Sequence, residues 1–137
     1  MFINPSPDQL RALLREVRSI AVVGLSPRTD RPSHAVASAL QHAGYRILPV
    51  RPGVSEILGE KAYPCLADLP EKPDLVEVFR SGAEVGPIVD TCIALGLKRL
   101  WLQDGVINAE AAARAVAAGL TVVMDRCVWR DHKDLML

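Results

Sequence analysis

A chain of 137 residues is long enough for one domain with a packed core and too short for a cofactor domain joined to a separate substrate domain. Sixteen Lys and Arg balance sixteen Asp and Glu, with the arginines spread along the chain, which excludes a general electrostatic pull toward nucleic acid or an anionic membrane surface. No basic-then-apolar leader opens the sequence, its apolar runs are too short to span a bilayer, and Cys65, Cys92 and Cys127 lack the spacing of a disulfide frame or zinc site, so a soluble cytoplasmic protein with reduced cysteines and no metal is expected.

Short apolar runs alternate with longer helical patterns from end to end, the signature of a parallel sheet. Ser6-Pro7-Asp8-Gln9 supplies an N-cap, a proline at the first helical position and a capping-box glutamine, and predicts a first helix ending before Ser19. Ser19 to Gly24, apolar without polar alternation, is the first strand and lies deep in the sheet. Ser33 to Ala43 is the second helix, with Ser33 as its N-cap and Gly44 as its left-handed stop, and Tyr45 to Val50 is the second strand. Arg51 to Pro73, rich in proline and glycine, reads as a long excursion with one helical turn around Leu66 to Leu69. Asp74 to Phe79 is the third strand, Ser81-Gly82-Ala83-Glu84 a capping box opening a helix to about Leu95, and Lys98 to Leu102 the fourth strand. Asn108 caps a helix to Ala118, and Leu120 to Met124 is the fifth strand, followed by a polar tail.

These elements predict a single α/β domain spanning residues 1–137, a Rossmann-like, doubly wound, five-stranded parallel sheet with helices on both faces and strand order 3-2-1-4-5. Its ligand crevice then lies at the carboxyl ends of the strands, facing Gly24 to Thr29, Arg51-Pro52, Phe79-Arg80 and Gln103-Asp104-Gly105. The loop Gly24 to Ser33 joins a buried strand to a helix N-terminus, the place where such folds hold phosphate through backbone N–H groups and the helix dipole. It is not a dinucleotide fingerprint, because Ser26 and Thr29 stand where the second and third glycines belong, and it is not a Walker loop, because no Gly-Lys-Ser/Thr follows. It offers the hydroxyls of Ser26, Thr29 and Ser33 with the cations of Arg28 and Arg31, a set suited to a diphosphate; the plainer reading is a long turn with a capping serine. Arg51 replaces the acid that NAD enzymes place after the second strand, favouring a ribose that carries phosphate, as in NADP or coenzyme A; a solvated arginine before a proline turn is the alternative.

Val22-Val23-Gly24-Leu25-Ser26-Pro27, Asp30-Arg31-Pro32-Ser33, Pro49-Val50-Arg51-Pro52, Val78-Phe79-Arg80, Trp101-Leu102-Gln103-Asp104-Gly105 and Asp125-Arg126-Cys127, in this order, resemble the small stand-alone CoA-binding-domain proteins. The fold is similar to that of the CoA-binding domain of succinyl-CoA synthetase alpha subunits. The resemblance covers nearly the whole chain and implies coenzyme A as ligand. It implies a diphosphate site at Gly24, Leu25, Ser26, Pro27, Arg28 and Thr29, with Ser33 opening the helix, and an adenosine border at Val50, Arg51 and Pro52. Phe79, Arg80, Gln103 and Gly105 would line the neighbouring crevice. The family more often has Asn where this chain has Arg51. The ligases sharing the domain use a phosphorylated histidine on a separate domain, for which this chain has no room, so ligase activity does not carry over.

Catalytic candidates are few. His34 at the start of the second helix reads as a solvated residue near a helix end, Cys127 as a packing residue, and Trp101 as core, and no Ser/His/Asp or Cys/His order can be tied to one site. The function expected is binding of coenzyme A or an acyl-CoA without catalysis by the chain itself. The alternatives are an NADP-dependent reductase and an interaction protein with a vestigial nucleotide site. No nucleic acid or membrane partner is expected, and a protein partner is left open.

Overall fold

Local chemistry starts each helix where the sequence offers caps. In the computed structural model, which describes residues 2–136, α1 (Pro7–Glu16) opens with the Ser6/Gln9 capping box, and α4 (Ala109–Ala117) opens with the Asn108 side chain accepting the Ala111 N–H. The Ser81/Glu84 box is also formed, but its first turn, Gly82–Glu84, is 3-10, and α3 begins at Val85 and runs to Ala94. Of the remaining helices, α2 (Pro32–His42) and α5 (Val128–Leu135), the second replaces the expected polar tail. Its buried positions are Val128 and Asp131, so a charged residue occupies the apolar stripe and hides the helical period.

The strands are β1 (Ser19–Val23), β2 (Arg46–Val50), β5 (Leu75–Val78), β6 (Arg99–Leu102) and β7 (Thr121–Met124), all parallel, with a two-residue hairpin, β3 (Glu56–Ile57) and β4 (Glu60–Lys61), inside the excursion. The sheet order is β2-β1-β5-β6-β7. In terms of the five expected strands this is 2-1-3-4-5, which corrects the order 3-2-1-4-5. The third expected strand, β5, pairs with β1 rather than with β2. The outer edge of β2 is taken by the excursion: Tyr63 N–H donates to Pro49 O at 3.0 Å and Arg51 N–H to Tyr63 O at 2.8 Å. Pro49 itself has no N–H to give, which suits an edge strand and not an internal one.

Two apolar layers fasten the helices to the sheet. Ala21, Leu48, Val76, Leu100 and Val122 belong to the core shared with α3 and α4, through Val85, Val89, Cys92, Ala112 and Ala115. Ile20, Ile47, Leu75, Trp101 and Val123 belong to the core on the other face, with Leu10, Leu14, Leu40 and Val128 from α1, α2 and α5. Burial of each Val, Leu or Ile among them contributes roughly 1.5–3 kcal/mol before chain entropy is set against it. The reversal of crossover direction between β1 and β5 leaves a crevice at their carboxyl ends. No helix among the described residues is long and apolar enough to cross a membrane.

Candidate functional site

The floor of the crevice is Gly24. It has φ +85°, and a Cβ there would stand 2.6 Å from Phe79 O and 2.9 Å from Arg80 Cδ, so the loops leaving β1 and β5 touch at this glycine. Its N–H donates to Val50 O, and Phe79 N–H donates to Val23 O, both at 2.9 Å. The ends of β2, β1 and β5 are thereby held side by side.

On one side of Gly24 the loop builds a polar groove of about 500 Å³, lined by Ser26, Arg28, Arg31, Pro32, Ser33, Arg51 and Phe79. Three arginines and no acidic residue line it. Ser26 N–H donates to Ser33 Oγ at 3.0 Å, and Arg28 N–H donates to Ser26 Oγ at 3.1 Å. Each hydroxyl accepts from the backbone and keeps its own proton to donate to an anion. Ser33 is not the N-cap expected from the sequence: α2 begins one residue earlier, at Pro32, with Arg31 at the cap position and no side-chain cap bond. Proline, its φ already helical, takes the first position, and the Ser33 hydroxyl is released to hold the loop. The Leu25 side chain is fully buried, so only its backbone borders the groove; Leu25 O lies 3.4 Å from Arg51 Nη1. Pro27, Arg28 and Thr29 are exposed, and Arg28 pairs with Asp30 at 3.0 Å.

On the other side of Gly24 lies a second groove of about 500 Å³, mainly apolar, walled by Val23, Val50, Pro52, Pro64, Leu66 and Ile88. The excursion residues Pro64 to Ala67 are walls that sequence reading missed. They come to the site because Tyr63 pairs with β2, and the length of the excursion was the only hint. Arg80 also lines this groove, its guanidinium donating to both Glu84 carboxylate oxygens at 2.9 and 2.8 Å; that pairing holds the Glu84 carboxyl below its ordinary range. A further cavity of about 410 Å³, lined by Glu16, Lys98, Arg99 and Thr121, sits at the amino ends of the strands, away from the end where open α/β sheets bind ligands.

Beyond β6 the polar residues are tied to α5 and to the turn leading into it. Gln103 Oε1 accepts the Val128 N–H at 3.4 Å, Gly105 N–H donates to Asp125 Oδ1 at 2.7 Å, and Asp104 accepts two bonds from Arg130 at 2.8 and 2.9 Å. Arg130 lowers the Asp104 pKa by that pairing. Trp101 is fully buried, as expected of core, and its Nε1–H donates to Arg126 O at 2.8 Å. Sequence reading also passed over Glu77, an acidic residue inside the apolar run Leu75-Val76-Glu77-Val78. It is fully buried, and neither carboxylate oxygen has a hydrogen-bond partner. Burial pushes its pKa well above the usual carboxylate range, and Cys127 and then Asp104 add to the effect.

His34 is half-buried in the first turn of α2, and His132 stacks on Trp129 with ring centroids 5.3 Å apart. Among the described residues no group of three or more His, Cys, Asp and Glu has the geometry to hold a metal.

Residues 18–133 match the family model described as a CoA binding domain. The chain is 39% identical over 129 residues to the uncharacterized protein YneT of Bacillus subtilis (strain 168), covering 94% of this chain and 96% of that one. A hypothetical protein from Pyrococcus horikoshii OT3 superposes with a TM-score of 0.94 at 33% identity, over 100% of this chain and 99% of that chain. The acetate–CoA ligase (ADP-forming) II of Archaeoglobus fulgidus is 29% identical over 83 residues, 59% of this chain and 12% of the ligase.

Proposed function

The chain belongs to the CoA-binding-domain family, and from that premise we propose that it holds coenzyme A, free or acylated, across the carboxyl ends of β2, β1, β5 and β6. The observation that carries this reading is the groove at Gly24. Three arginines, of which Arg28 is paired with Asp30, and two serine hydroxyls with protons to donate line the groove without an acidic residue, at the point where the sheet reverses direction. The diphosphate lies against Gly24, Ser26, Arg28 and Ser33. Arg51, at the end of β2, faces the phosphorylated ribose, and its forked donors suit phosphate oxygens where an acid would repel them. The apolar groove across Gly24, with Val50 and Pro52 on its rim, supplies a surface for the less polar parts of the ligand. Phe79 lines the polar groove and Arg80 the apolar one, whereas Gln103, expected to line the crevice, is buried with its side chain on the Val128 N–H and lines neither groove.

The ligase relative is about eight times the length of the segment it shares with this chain, and nothing of its activity enters the reading. Thermal denaturation with and without CoA tests the proposal. A ligand at a hundred times its Kd stabilises by about 2.7 kcal/mol, so saturating CoA raises Tm. Ser26→Asp, which sets a negative charge against the diphosphate, abolishes that rise while leaving the fold intact. A Ser26→Asp protein that folds and binds CoA like the parent would move the site elsewhere.

A further inference from the structure

We propose that Glu84 is a built-in competitor for the ligand: in the free protein its carboxylate holds the Arg80 guanidinium, and a bound diphosphate takes that guanidinium over. This rests on the CoA reading above and gives the site a control on its own affinity. The polar and apolar grooves share Gly24 as a wall. The side chain that crosses this glycine is Arg80, whose Cδ stands 2.9 Å from the position a Cβ on Gly24 would take. Its stem is therefore fixed at the border between the grooves, and rotation about its last bonds decides which of them receives the guanidinium. In the free protein that group lines the apolar groove, where Nε and Nη2 donate to the two Glu84 oxygens at 2.9 and 2.8 Å. The arginine is turned away from the groove that gathers the other cations, and Glu84 is what turns it.

The pair is arranged so that it can open. Both side chains are accessible, 42% and 46% exposed, and an ion pair of this kind contributes little to stability. Glu84 does not need Arg80 to stay in place. Its N–H donates to Ser81 O at 2.9 Å and its carboxylate accepts the Ser81 N–H at 3.3 Å, within the capping box that opens the turn before α3. Departure of the arginine therefore leaves the start of the helix intact. A diphosphate offers the guanidinium fork more acceptor oxygens and more negative charge than one carboxylate does, so the exchange is favoured once the ligand lies against Gly24.

Arg28 repeats the arrangement, held by Asp30 at 3.0 Å. Arg31 and Arg51 form no ion pair among the described residues. Two of the four arginines at the crevice are thus occupied by neighbouring acids and two stand free for the first encounter with an anion. Each exchange offsets part of the gain from the new contact, which lowers the affinity below what the cations alone would give.

Calorimetric titration of CoA into the full-length protein, into Glu84→Gln, into Arg80→Gln and into the double variant tests this, with urea midpoints to verify that each chain folds. Glutamine serves a capping box as glutamate does, so Glu84→Gln removes the charge and keeps the helix start. It is expected to tighten CoA binding about 2- to 5-fold, the range of an exposed ion pair. Arg80→Gln weakens binding by about 10-fold or more, and in that background Glu84→Gln changes nothing. Asp90→Asn, which removes the same charge from the Arg114 pair between α3 and α4, leaves the affinity as it was. In nitrogen-edited NMR the Arg80 Nε–H resonance, identified by its loss in Arg80→Gln, moves when CoA is added. A folded Glu84→Gln that binds CoA no more tightly than the parent, a gain that persists without Arg80, or an equal gain in Asp90→Asn would overturn the inference and leave the CoA reading standing. Absence of CoA binding in the parent and in every variant would remove both.

Discussion

Gly24 and the Phe79 carbonyl meet so closely that a methyl group on the glycine would stand 2.6 Å from the oxygen. This contact joins the two loops that border the crevice, and it combines a steric limit with a φ of +85° that L side chains rarely adopt. Gly24→Ala therefore loses on the order of 2–3 kcal/mol of stability, read as a lower urea midpoint, and loses CoA binding. A variant as stable as the parent would show that the two loops separate without cost.

Glu77 sets a pH dependence of stability. Burial raises its folded pKa, and the acidic neighbours Cys127 and Asp104 push the same way. The stabilisation is complete below the usual carboxylate range. As pH rises, the unfolded chain gives up the proton first while the folded protein keeps it, so stability falls until the folded pKa is passed, by up to about 1.4 kcal/mol per pH unit. Glu77→Gln lacks this fall. Urea midpoints at about pH 5 and pH 8 compare the two: the variant gains on the parent at the higher pH, and equal slopes would contradict the burial argument.

Arg126 and Asp131 form an asymmetric pair. Arg126 Nε and Nη2 donate to the Asp131 carboxylate at 2.7 and 2.8 Å; the aspartate side chain is 2% exposed and that of the arginine 41%. Removal of the arginine strands a buried carboxylate, whereas removal of the aspartate frees a cation that turns to water. Arg126→Ala is expected to cost about 3 kcal/mol or more, and Asp131→Ala appreciably less. Equal losses in denaturant titrations would mean that the arginine is as confined as its partner.

The parts of the fold written in short-range chemistry were legible. Ser6 with Gln9, Asn108 with the Ala111 N–H, and the glycine stops gave the helix starts and ends within a residue or two. Strand order was not, because it depends on the excursion folding back so that Tyr63 occupies the free edge of β2, a pairing that no local pattern encodes. Pro49 was the signal available, since a proline inside a strand belongs at an edge. The hairpin at Glu56–Lys61 escaped because strands of two residues carry no periodicity, and its turn uses Leu58 at φ 57° where asparagine or glycine is the usual marker. At the site, the Gly24 loop and Arg51 were readable from type and position. Pro64 to Ala67 and Glu77 were not, the first for lack of a predictable fold-back and the second because apolar neighbours on both sides read simply as strand.

Calorimetric titration with CoA, repeated with dephospho-CoA and with NADP, tests the proposed CoA site most directly, using the parent protein and Arg51→Ala. Saturable binding of CoA is expected, with dephospho-CoA weaker by about 10- to 100-fold, the range of a hydrogen bond to a charged group. In Arg51→Ala the two ligands become nearly equal. Tighter binding of NADP than of CoA, or no saturable heat with CoA at all, would contradict the account.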